Sequence, residues 1–416
     1  MTTETCPVHA LGEEYDPFTA HSQDPYPFYA RARSEEPVFY SPRFGMWFAT
    51  RYDDGVAIVR DPATFSSADA IPLREQHPPE VEEILAGWGE PLIHLLVADP
   101  PEHTRLRQLA RDAFAPTRIA ALEPMIRQVT DDLIARMGPG PADLVSQFAY
   151  PLPLTVILRV LGVPEEDLEK CRRWTQDAIA NDLGTANPSL EAQCEWARST
   201  VAFRQYVHEL ARQRANEPKD DLISSLVTAR RRGYEPLSVD SKEAMGVVLA
   251  LIIAGHETTA SLIGTVVWHL LRNPDQLAEV RRNSDLIPGA VEEAVRHDPA
   301  GIGFVRTATR EVEVGGVRIP AGGKVFVMYA SGNHDPQAFP EPERFLVGRD
   351  HTLQLGFGRG IHYCLGAPLA RLEGRIALER LLARLPNLRL ANSAEPPRWK
   401  PNIILRGLES LHVAWD

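Results

Sequence analysis

The order of apolar and polar residues along the chain predicts a mainly α protein with a small β lobe. From Pro101 to about Leu271 the pattern favours successive helices, with proline and glycine at the breaks between them. A short helix is expected at 26–35, and two apolar stretches at 38–40 and 46–50 predict a β-hairpin. Further strands are predicted at 311–314, 317–319 and 324–328, and a last hairpin within 403–415.

The most apolar segment is a helix predicted at about 240–271, which is roughly 32 residues or about 48 Å long. Its centre, residues 254–259, reads Ala-Gly-His-Glu-Thr-Thr. Glycine, adjacent threonines and an acid are unfavourable choices in the middle of an apolar helix. A local conflict of this kind indicates a functional site.

Composition narrows the classes of function. The 416 residues carry 44 Lys and Arg against 56 Asp and Glu, a net charge of −12, which disfavours nucleic acid as a partner because phosphate binding needs clustered basic side chains. The four cysteines form no disulfide framework, as expected of a cytoplasmic protein. No secretory signal is evident, the longest apolar run (247–254) is too short to span a bilayer, and no dinucleotide or P-loop fingerprint occurs.

The most informative stretch is 355–367, Leu-Gly-Phe-Gly-Arg-Gly-Ile-His-Tyr-Cys-Leu-Gly-Ala. Its alternate glycines allow the backbone to fold tightly against a flat partner. Cys364 stands between this loop and a helix predicted from Leu365 onward, where unpaired amide groups and the helix dipole favour a thiolate. Such a thiolate is a ligand or a nucleophile, and the glycine loop favours the ligand. The alternative is a buried, inert cysteine that caps the helix.

This stretch resembles the haem-binding signature of the cytochrome P-450 family at six fixed positions, which are Phe357, Gly358, Gly360, His362, Cys364 and Gly366. The resemblance implies that Cys364 is the axial iron ligand of haem b and that its electron donation helps to break the O–O bond. It further implies that the motif phenylalanine packs near the sulfur, and that loop amides donate hydrogen bonds to it.

The centre of the long helix resembles the oxygen-activation motif of the same family. Gly255 would then open space beside the haem for O₂, Thr258 would order a water at the oxygen site, and Glu257 would relay protons from solvent. The residues alone leave two alternatives open. The Thr258 hydroxyl could bond back to the carbonyl of Ala254, and Glu257 could be a solvated charge on the outer face.

Two further sets of residues match the family. Glu293 and Arg296 lie one helical turn apart and resemble its Glu-x-x-Arg pair, which together with Arg344 would lock the loop that bears the cysteine. The second set would hold the haem propionates, because arginine donates two parallel hydrogen bonds to a carboxylate; it consists of His103, Arg107, Arg306 and His362. For His103 and Arg107 an ordinary exposed helix face is the alternative.

The resemblance covers nearly the whole chain and implies one cytochrome P-450 haem domain over 1–416, with haem between the long central helix and the cysteine loop. Residues 1–15 are expected to form a flexible leader, although Cys6 and His9 could in principle share a metal. The implied reaction is monooxygenation with O₂ as co-substrate. Electrons from NAD(P)H would arrive through a flavin or iron–sulfur reductase that this chain does not encode, either separate or fused, since some segments look like haem domains of self-sufficient fusions.

The expected substrate is a small to medium apolar or aromatic molecule, hydroxylated, O-dealkylated or epoxidised in a pocket formed by Ala254, Ile302, Gly303, Phe304 and Ile404. We expect a cytoplasmic monomer that binds neither membranes nor nucleic acid. The rival readings are a peroxide-driven haem enzyme, a non-catalytic haem sensor or carrier of gases, and a helical scaffold without cofactor. The acid–alcohol pair disfavours the first two, and the glycine loop disfavours the third.

Overall fold

The computed structural model describes residues 10–71, 77–86, 94–111, 114–183, 188–228, 242–392 and 395–416. Contacts divide the chain into two compact units. The first consists of Met1–Ile71, Thr130–Ala149 and Thr258–Asp416, and the second of Pro72–Val129 and Tyr150–Glu257. The boundary between Glu257 and Thr258 falls inside the long helix.

The described residues form mostly helix. The helices are α1 (Ala10–Glu14), α2 (Tyr26–Glu35), α3 (Tyr52–Arg60), α4 (Pro79–Ala86), α5 (His94–Val97), α6 (Glu102–Arg111), α7 (Pro116–Ala121), α8 (Glu123–Met137), α9 (Pro151–Leu161), α10 (Leu168–Leu183), α11 (Leu190–Asn216), α12 (Leu222–Thr228), α13 (Lys242–Arg272), α14 (Pro274–Arg282), α15 (Ile287–His297), α16 (Tyr329–Gly332) and α17 (Ala367–Arg384). The long helix predicted at 240–271 is therefore confirmed as α13.

The strands all belong to the first unit. They are β1 (Val38–Ser41), β2 (Met46–Ala49), β3 (Phe65–Ser66), β4 (Ala142–Asp143), β5 (Phe304–Ala308), β6 (Val312–Val314), β7 (Val317–Ile319), β8 (Lys324–Val327), β9 (Arg389–Leu390) and β10 (His412–Ala414). A five-stranded sheet has the order β1-β2-β8-β5-β3, in which only β2 and β8 are parallel, and β6 pairs with β7 alone. The predicted hairpin at 38–50 is confirmed.

Alternation along these strands places one apolar set on each face of the five-stranded sheet. Phe39, Phe48 and Phe326 enter one buried cluster, whereas their strand neighbours Val38 and Ala49 enter the other. The first cluster includes stacked aromatic rings, with the Phe39 and Phe48 ring centroids 5.2 Å apart. The sheet is thus packed on both faces and forms a rigid support for the segments that follow β5 and β8.

At the chain ends, the expected flexible leader is contradicted only over residues 10–15, and the expected last hairpin is wrong. The helix α1 occupies part of the expected leader, and its Leu11 is 4% exposed, as is expected of a packed segment; residues 1–9 lie outside the described residues. The hairpin expected within 403–415 does not form. Instead β10 pairs with β4 and β9, and Leu408 forms an isolated bridge with Trp399, so each of these partners lies outside the predicted range.

The second unit is helical in its described residues. Helices α10 and α11 pack side by side, and α11 also contacts α12 and α4. A buried ion pair stabilises this arrangement, because Arg214 Nε lies 2.5 Å from Asp221 Oδ2 and its Nη2 donates to the carbonyl of Gly162, 2.7 Å away. Gly162 ends α9 in the left-handed region, with φ +88°.

Among the described residues one helical stretch, Gly246–Arg272, has the length and apolar character needed to cross a membrane. About two thirds of its most apolar window (67%) is buried inside the protein. A core helix has the same properties, so the stretch is weak evidence for a membrane span.

Candidate functional site

The loop that bears Cys364 is closed by its own main chain. The amide of Cys364 donates to the carbonyl of Phe357 at 2.8 Å, and the amide of Gly358 donates to that of Leu355 at 2.7 Å. Helix α17 begins at Ala367, two residues later than the apolar spacing predicts, so that Cys364 stands three residues ahead of it. The cysteine is partly exposed. It is therefore presented by a tight loop directly before a helix N-terminus.

Two glycines allow this loop to approach neighbouring helices. A Cβ on Gly356 would lie 2.3 Å from the carbonyl oxygen of Val295 in α15, and one on Gly360 would lie 2.3 Å from that of Val59 in α3. Gly360 also has φ +72°, which L side chains rarely adopt. No other residue fits these positions, so the loop is clamped between two helices.

The ring of Phe357 is covered by an arginine from α17. The Arg371 guanidinium carbon lies 4.4 Å from the ring centroid, a cation–π geometry. Arg371 also pairs with Glu292 and donates to the Tyr363 hydroxyl at 3.1 Å. The motif residue Phe357 and Tyr363, which directly precedes the cysteine, are thus held by one side chain that the motif does not include.

Three cysteines lie in the described residues, and Cys171 differs from Cys364 in its burial. None of the three forms a disulfide. Cys171 is fully buried, and burial raises the pKa of its thiol to about 12, so it remains protonated. Cys171 thus shows the buried, inert state that the sequence leaves open as an alternative for Cys364. Cys364 itself is partly exposed in a glycine loop.

The Glu293–Arg296 pair is confirmed and fully buried. Both side chains are 0% exposed, and Arg296 donates from Nε and Nη2 to the two carboxylate oxygens at 2.9 Å each. Burial by itself raises the pKa of Glu293, but hydrogen bonds from His351 and Arg296 outweigh it and hold the pKa below its ordinary value. The carboxylate is therefore charged at neutral pH.

The prediction that Arg344 completes this lock is wrong. Its side chain is 60% exposed and pairs with Glu341, and only its carbonyl oxygen accepts from Arg296. The third partner is Arg349, whose Nε lies 3.2 Å from Glu293 Oε1, with His351 as a fourth at 3.0 Å from Oε2. Arg349 also donates to three main-chain carbonyls between 340 and 344. It can do so because its planar guanidinium group carries five N–H donors.

The lock reaches the cysteine loop through a residue that sequence reasoning missed. Arg296 Nη1 donates to the carbonyl of Asn333 at 2.9 Å, and Asn333 Oδ1 accepts from the amide of Leu355 at 2.6 Å. Asn333 is 0% exposed. The segment 331–335 is one of those that look like haem domains of self-sufficient fusions, but nothing in that likeness indicates that Asn333 supports the cysteine loop.

Two observations show that this half of the site fits haem. Arg306 is only 5% exposed, and its guanidinium donates to the carbonyl of Val305. Within the described residues no carboxylate pairs with it. A buried guanidinium of this kind suits a propionate. A Cβ on Gly366 would meet nothing within 4 Å, so the backbone beside the cysteine borders open space. The other predicted propionate partner, His362, lies in a 3₁₀ turn of the loop and is partly exposed.

The centre of α13 is the other half of the predicted site. Although most of this helix is buried, Ala254, Gly255, Glu257 and Thr258 are partly exposed, in contrast to the buried residues before and after them. A Cβ on Gly255 would lie 3.6 Å from the Ile157 side chain, an ordinary contact. Packing therefore does not require a glycine at position 255, and this agrees with a functional reason for Gly255.

A tyrosine that sequence reasoning missed lies beside Glu257. Burial raises the pKa of Tyr150 well above its ordinary value, and the charge of Glu257, with which its hydroxyl shares a hydrogen bond, raises it further; a hydrogen bond from Gln176 opposes this. The buried ring of His256 packs edge-on against Tyr150, with centroids 4.0 Å apart. Glu257 therefore belongs to a polar network and is not a solitary solvated charge.

His103 and Arg107 both lie on α6, one turn apart. His103 is 2% exposed and Arg107 is half-buried, so the exposed helix face that the sequence leaves open is excluded for the histidine. Burial of a histidine and a neighbouring arginine on one face is the arrangement expected of carboxylate-binding residues.

The residues of the expected substrate pocket fall into two groups. Ile302 and Ile404 are brought together, as the Ile302 amide donates to the Ile404 carbonyl at 2.7 Å, but both belong to the buried sheet cluster. A Cβ on Gly303 would lie 2.3 Å from the carbonyl oxygen of Val327, so this glycine serves close packing on β8. Phe304 and Ala254 are partly exposed and remain the better candidates for contact with a substrate.

A shallow pocket of about 530 Å³ opens on the outer side of the cysteine loop. Exposed Tyr363 (39%) lies on its rim. Its charged lining residues are Arg60, Glu292, Asp350, His351, Arg359 and Arg371.

Comparison with known proteins agrees with this geometry. A family model described as Cytochrome P450 matches residues 189–404. The chain is 39% identical to cytochrome P450 107B1 of Saccharopolyspora erythraea, over 95% of this chain and 96% of the relative, and 37% identical to the 6-deoxyerythronolide B hydroxylase of the same organism, over 94% and 96%. It is also similar to the crystal structure of an intact type IV self-sufficient cytochrome P450 monooxygenase (TM-score 0.91, 33% identity), covering 99% of this chain and 54% of that one.

Proposed function

The chain belongs to the cytochrome P450 family and is a haem-thiolate monooxygenase; from this premise we propose that Cys364 is the axial ligand and that Glu257 and Thr258 deliver protons. Bound haem b supplies the iron that activates O₂ with electrons from a redox partner. The observation that carries the assignment is the loop geometry: one partly exposed cysteine follows a glycine loop clamped between α3 and α15 and tied to a buried ion-pair lock.

The residues would divide the work as follows. Arg306, His362, His103 and Arg107 would hold the two propionates, which suits the buried guanidinium of Arg306. Glu257, hydrogen-bonded to Tyr150, would take protons from solvent, and Thr258 on the next position of α13 would hold a water toward the reacting oxygen. Phe304 and Ala254 would contact a small to medium apolar or aromatic substrate, since both are partly exposed apolar positions.

The electron donor would dock on the outer side of the cysteine loop. The pocket there is lined by three arginines, Arg60, Arg359 and Arg371, against the two carboxylates Glu292 and Asp350, and an acidic partner surface would complement this small positive excess. The donor would be a flavin or iron–sulfur reductase that uses NAD(P)H, whether separate or fused. We further propose a cytoplasmic monomer that acts away from membranes and nucleic acid, a proposal which the net charge of −12 supports for nucleic acid.

The ligand assignment is tested by the reduced carbon monoxide complex. Cys364→Ser should abolish its strongly red-shifted Soret band, because serine cannot supply a thiolate, whereas Cys194→Ser, at another half-buried cysteine, should keep it. A red-shifted band in the Cys364 variant would refute the assignment. Spectral-shift titrations with small aromatics, alkanes and a macrolide aglycone would test the substrate class, and tight binding of the macrolide alone would contradict it.

The proton-delivery roles are tested by the balance of products. With a competent reductase, Thr258→Ala should keep NAD(P)H consumption but divert it to hydrogen peroxide, while Thr258→Ser, which retains the hydroxyl, should restore product formation. An unchanged ratio of product to NAD(P)H in Thr258→Ala would contradict the role of the hydroxyl.

A further inference from the structure

A cluster of ionisable side chains lies in the first unit at the C-terminal ends of two helices, apart from every residue assigned above. His269 is in the last turn of α13, His297 is the last residue of α15, and Asp298 follows it. The three side chains are 10%, 13% and 4% exposed. Helix C-termini carry negative partial charge, so two of them meeting at one place favour a bound cation.

The carboxylate is shared between two sets of partners. Asp298 Oδ1 accepts from Arg406 Nε at 2.6 Å and from the Tyr26 hydroxyl, whereas Oδ2 faces the two imidazoles. His269 Nε2 lies 2.6 Å from Oδ2, and His297 Nδ1 lies 3.8 Å from it. Arg406 and Tyr26 thus fix the carboxylate from behind, as outer partners commonly fix a metal ligand.

His297 leaves one nitrogen without a hydrogen bond. Its Nε2 lies 3.2 Å from the Glu343 carbonyl, which can only accept, so this nitrogen carries the proton. In the neutral ring Nδ1 then bears a lone pair, and this buried atom has no hydrogen-bond partner. A lone pair and a carboxylate oxygen therefore face each other with no proton between them.

We propose that His269 Nε2, His297 Nδ1 and Asp298 Oδ2 form a binding site for a divalent transition metal, with Zn²⁺ as the best match. All three atoms lie within 4.8 Å of one another. A tetrahedral Zn²⁺ with bonds of about 2.1 Å places its ligands roughly 3.4 Å apart, between the 2.6 and 3.8 Å seen here. Two imidazoles favour zinc over magnesium or calcium, and a water would complete the shell.

A metal here would displace the Nε2 proton of His269 and join the end of α13 to the end of α15. The helix α13 carries Glu257 and Thr258, and α15 carries Glu293 and Arg296. The ion would therefore link the C-terminal ends of two helices that carry residues of the proposed active site. The positive charge of Arg406, held on the other carboxylate oxygen, opposes the ion and sets a limit to its affinity.

The test uses the untagged haem-loaded protein, stripped with a chelator, and titration with Zn²⁺ by calorimetry against a competing chromogenic chelator. We expect one Zn²⁺ per chain, with affinity reduced by about 10–100-fold or more in His297→Gln and in His269→Gln. His412→Gln, at an exposed histidine on β10, should bind as the parent does. Zinc should also raise the Tm of the parent but not of His297→Gln.

A second measurement protects the test from misfolded variants. X-ray absorption at the zinc edge of the parent protein loaded with one equivalent should show scattering from two imidazole rings. Binding that is equally tight in the parent and in His297→Gln, no stoichiometric binding at all, or a spectrum with fewer than two imidazoles would each overturn the site.

Discussion

Replacing Glu293 by glutamine should damage the protein more than its small change in shape suggests. Five donors converge on the Glu293 carboxylate: two from Arg296, and one each from Leu346, Arg349 and His351. A glutamine offers one oxygen, and its amide group would point a donor at other donors. The substitution also removes the carboxylate charge that pairs with the guanidinium of Arg296, which is 0% exposed.

The size of the effect follows from burial. Breaking a buried pair on one side costs about 3–5 kcal/mol, because a charge remains that is neither solvated nor paired. An exposed pair contributes far less because solvent screens it, so Glu341→Gln, which removes the partner of Arg344 on the surface, is the matched control. The free energy of unfolding of a typical protein is about 5–15 kcal/mol. The loss in Glu293→Gln is therefore a large fraction of it, and the loss in Glu341→Gln is a small one.

Thermal unfolding of the haem-loaded proteins, followed by circular dichroism, measures this difference. Unfolding with a bound cofactor is not two-state, so the Tm is compared alongside the fraction of reduced carbon monoxide complex that keeps its red-shifted band. Glu293→Gln should have a lower Tm and a smaller fraction with the red-shifted band, because the lock reaches the loop through Asn333. Glu341→Gln should keep both values of the parent.

The pH dependence gives an independent check. The pKa of Glu293 is lowered in the folded protein, so its contribution is fully present above the ordinary value of 4.5 and is lost as the pH falls through the folded pKa. The stability gap between the parent and Glu293→Gln should therefore be widest near neutral pH and should narrow in acid. Equal Tm values at pH 7, or a gap that does not narrow, would refute the reasoning.

Three further outcomes are expected. Arg349→Gln should lower the Tm and the red-shifted fraction far more than Arg344→Gln does, and equal effects would restore the assignment of Arg344. Asn333→Ala leaves the buried amide of Leu355 without its acceptor, a penalty of about 1–3 kcal/mol, so the red-shifted fraction should be lost at a lower urea concentration than in the parent; an unchanged urea midpoint would show that the loop is held otherwise. Tyr150→Phe should raise peroxide release per NAD(P)H without changing the carbon monoxide spectrum, and unaltered coupling would separate the tyrosine from Glu257.

The sequence is a good guide to elements whose signal is local. The long helix appears within about two residues of its predicted bounds, and the first hairpin is correct, because apolar spacing and turn residues lie next to each other in the chain. The last hairpin is wrong because β10 finds its partners at β4 and β9, and no local pattern reports pairing over such distances.

The candidate site shows the same division. The Glu293–Arg296 pair follows from helical spacing. Arg349 could not be separated from Arg344, since its choice depends on where a turn places three carbonyl oxygens. Asn333 and Tyr150 act through a buried amide and a buried hydroxyl, and single side chains of these types carry no pattern in a sequence.

The reason for a polar lock lies in the composition of the cysteine loop itself. Leu355 anchors the start of this loop in the buried sheet cluster, but the alternate glycines that follow have no side chains to bury. Directional hydrogen bonds add to this anchor, and the amide of Leu355 is fixed by Asn333, which in turn is fixed by Arg296. Each unpaired buried group costs more than a pair contributes, so this chain is weakest at Asn333, whose buried Nδ2 has no hydrogen-bond partner among the described residues. The Glu293 carboxylate, by contrast, accepts from five donors, which compensates the cost of burying its charge.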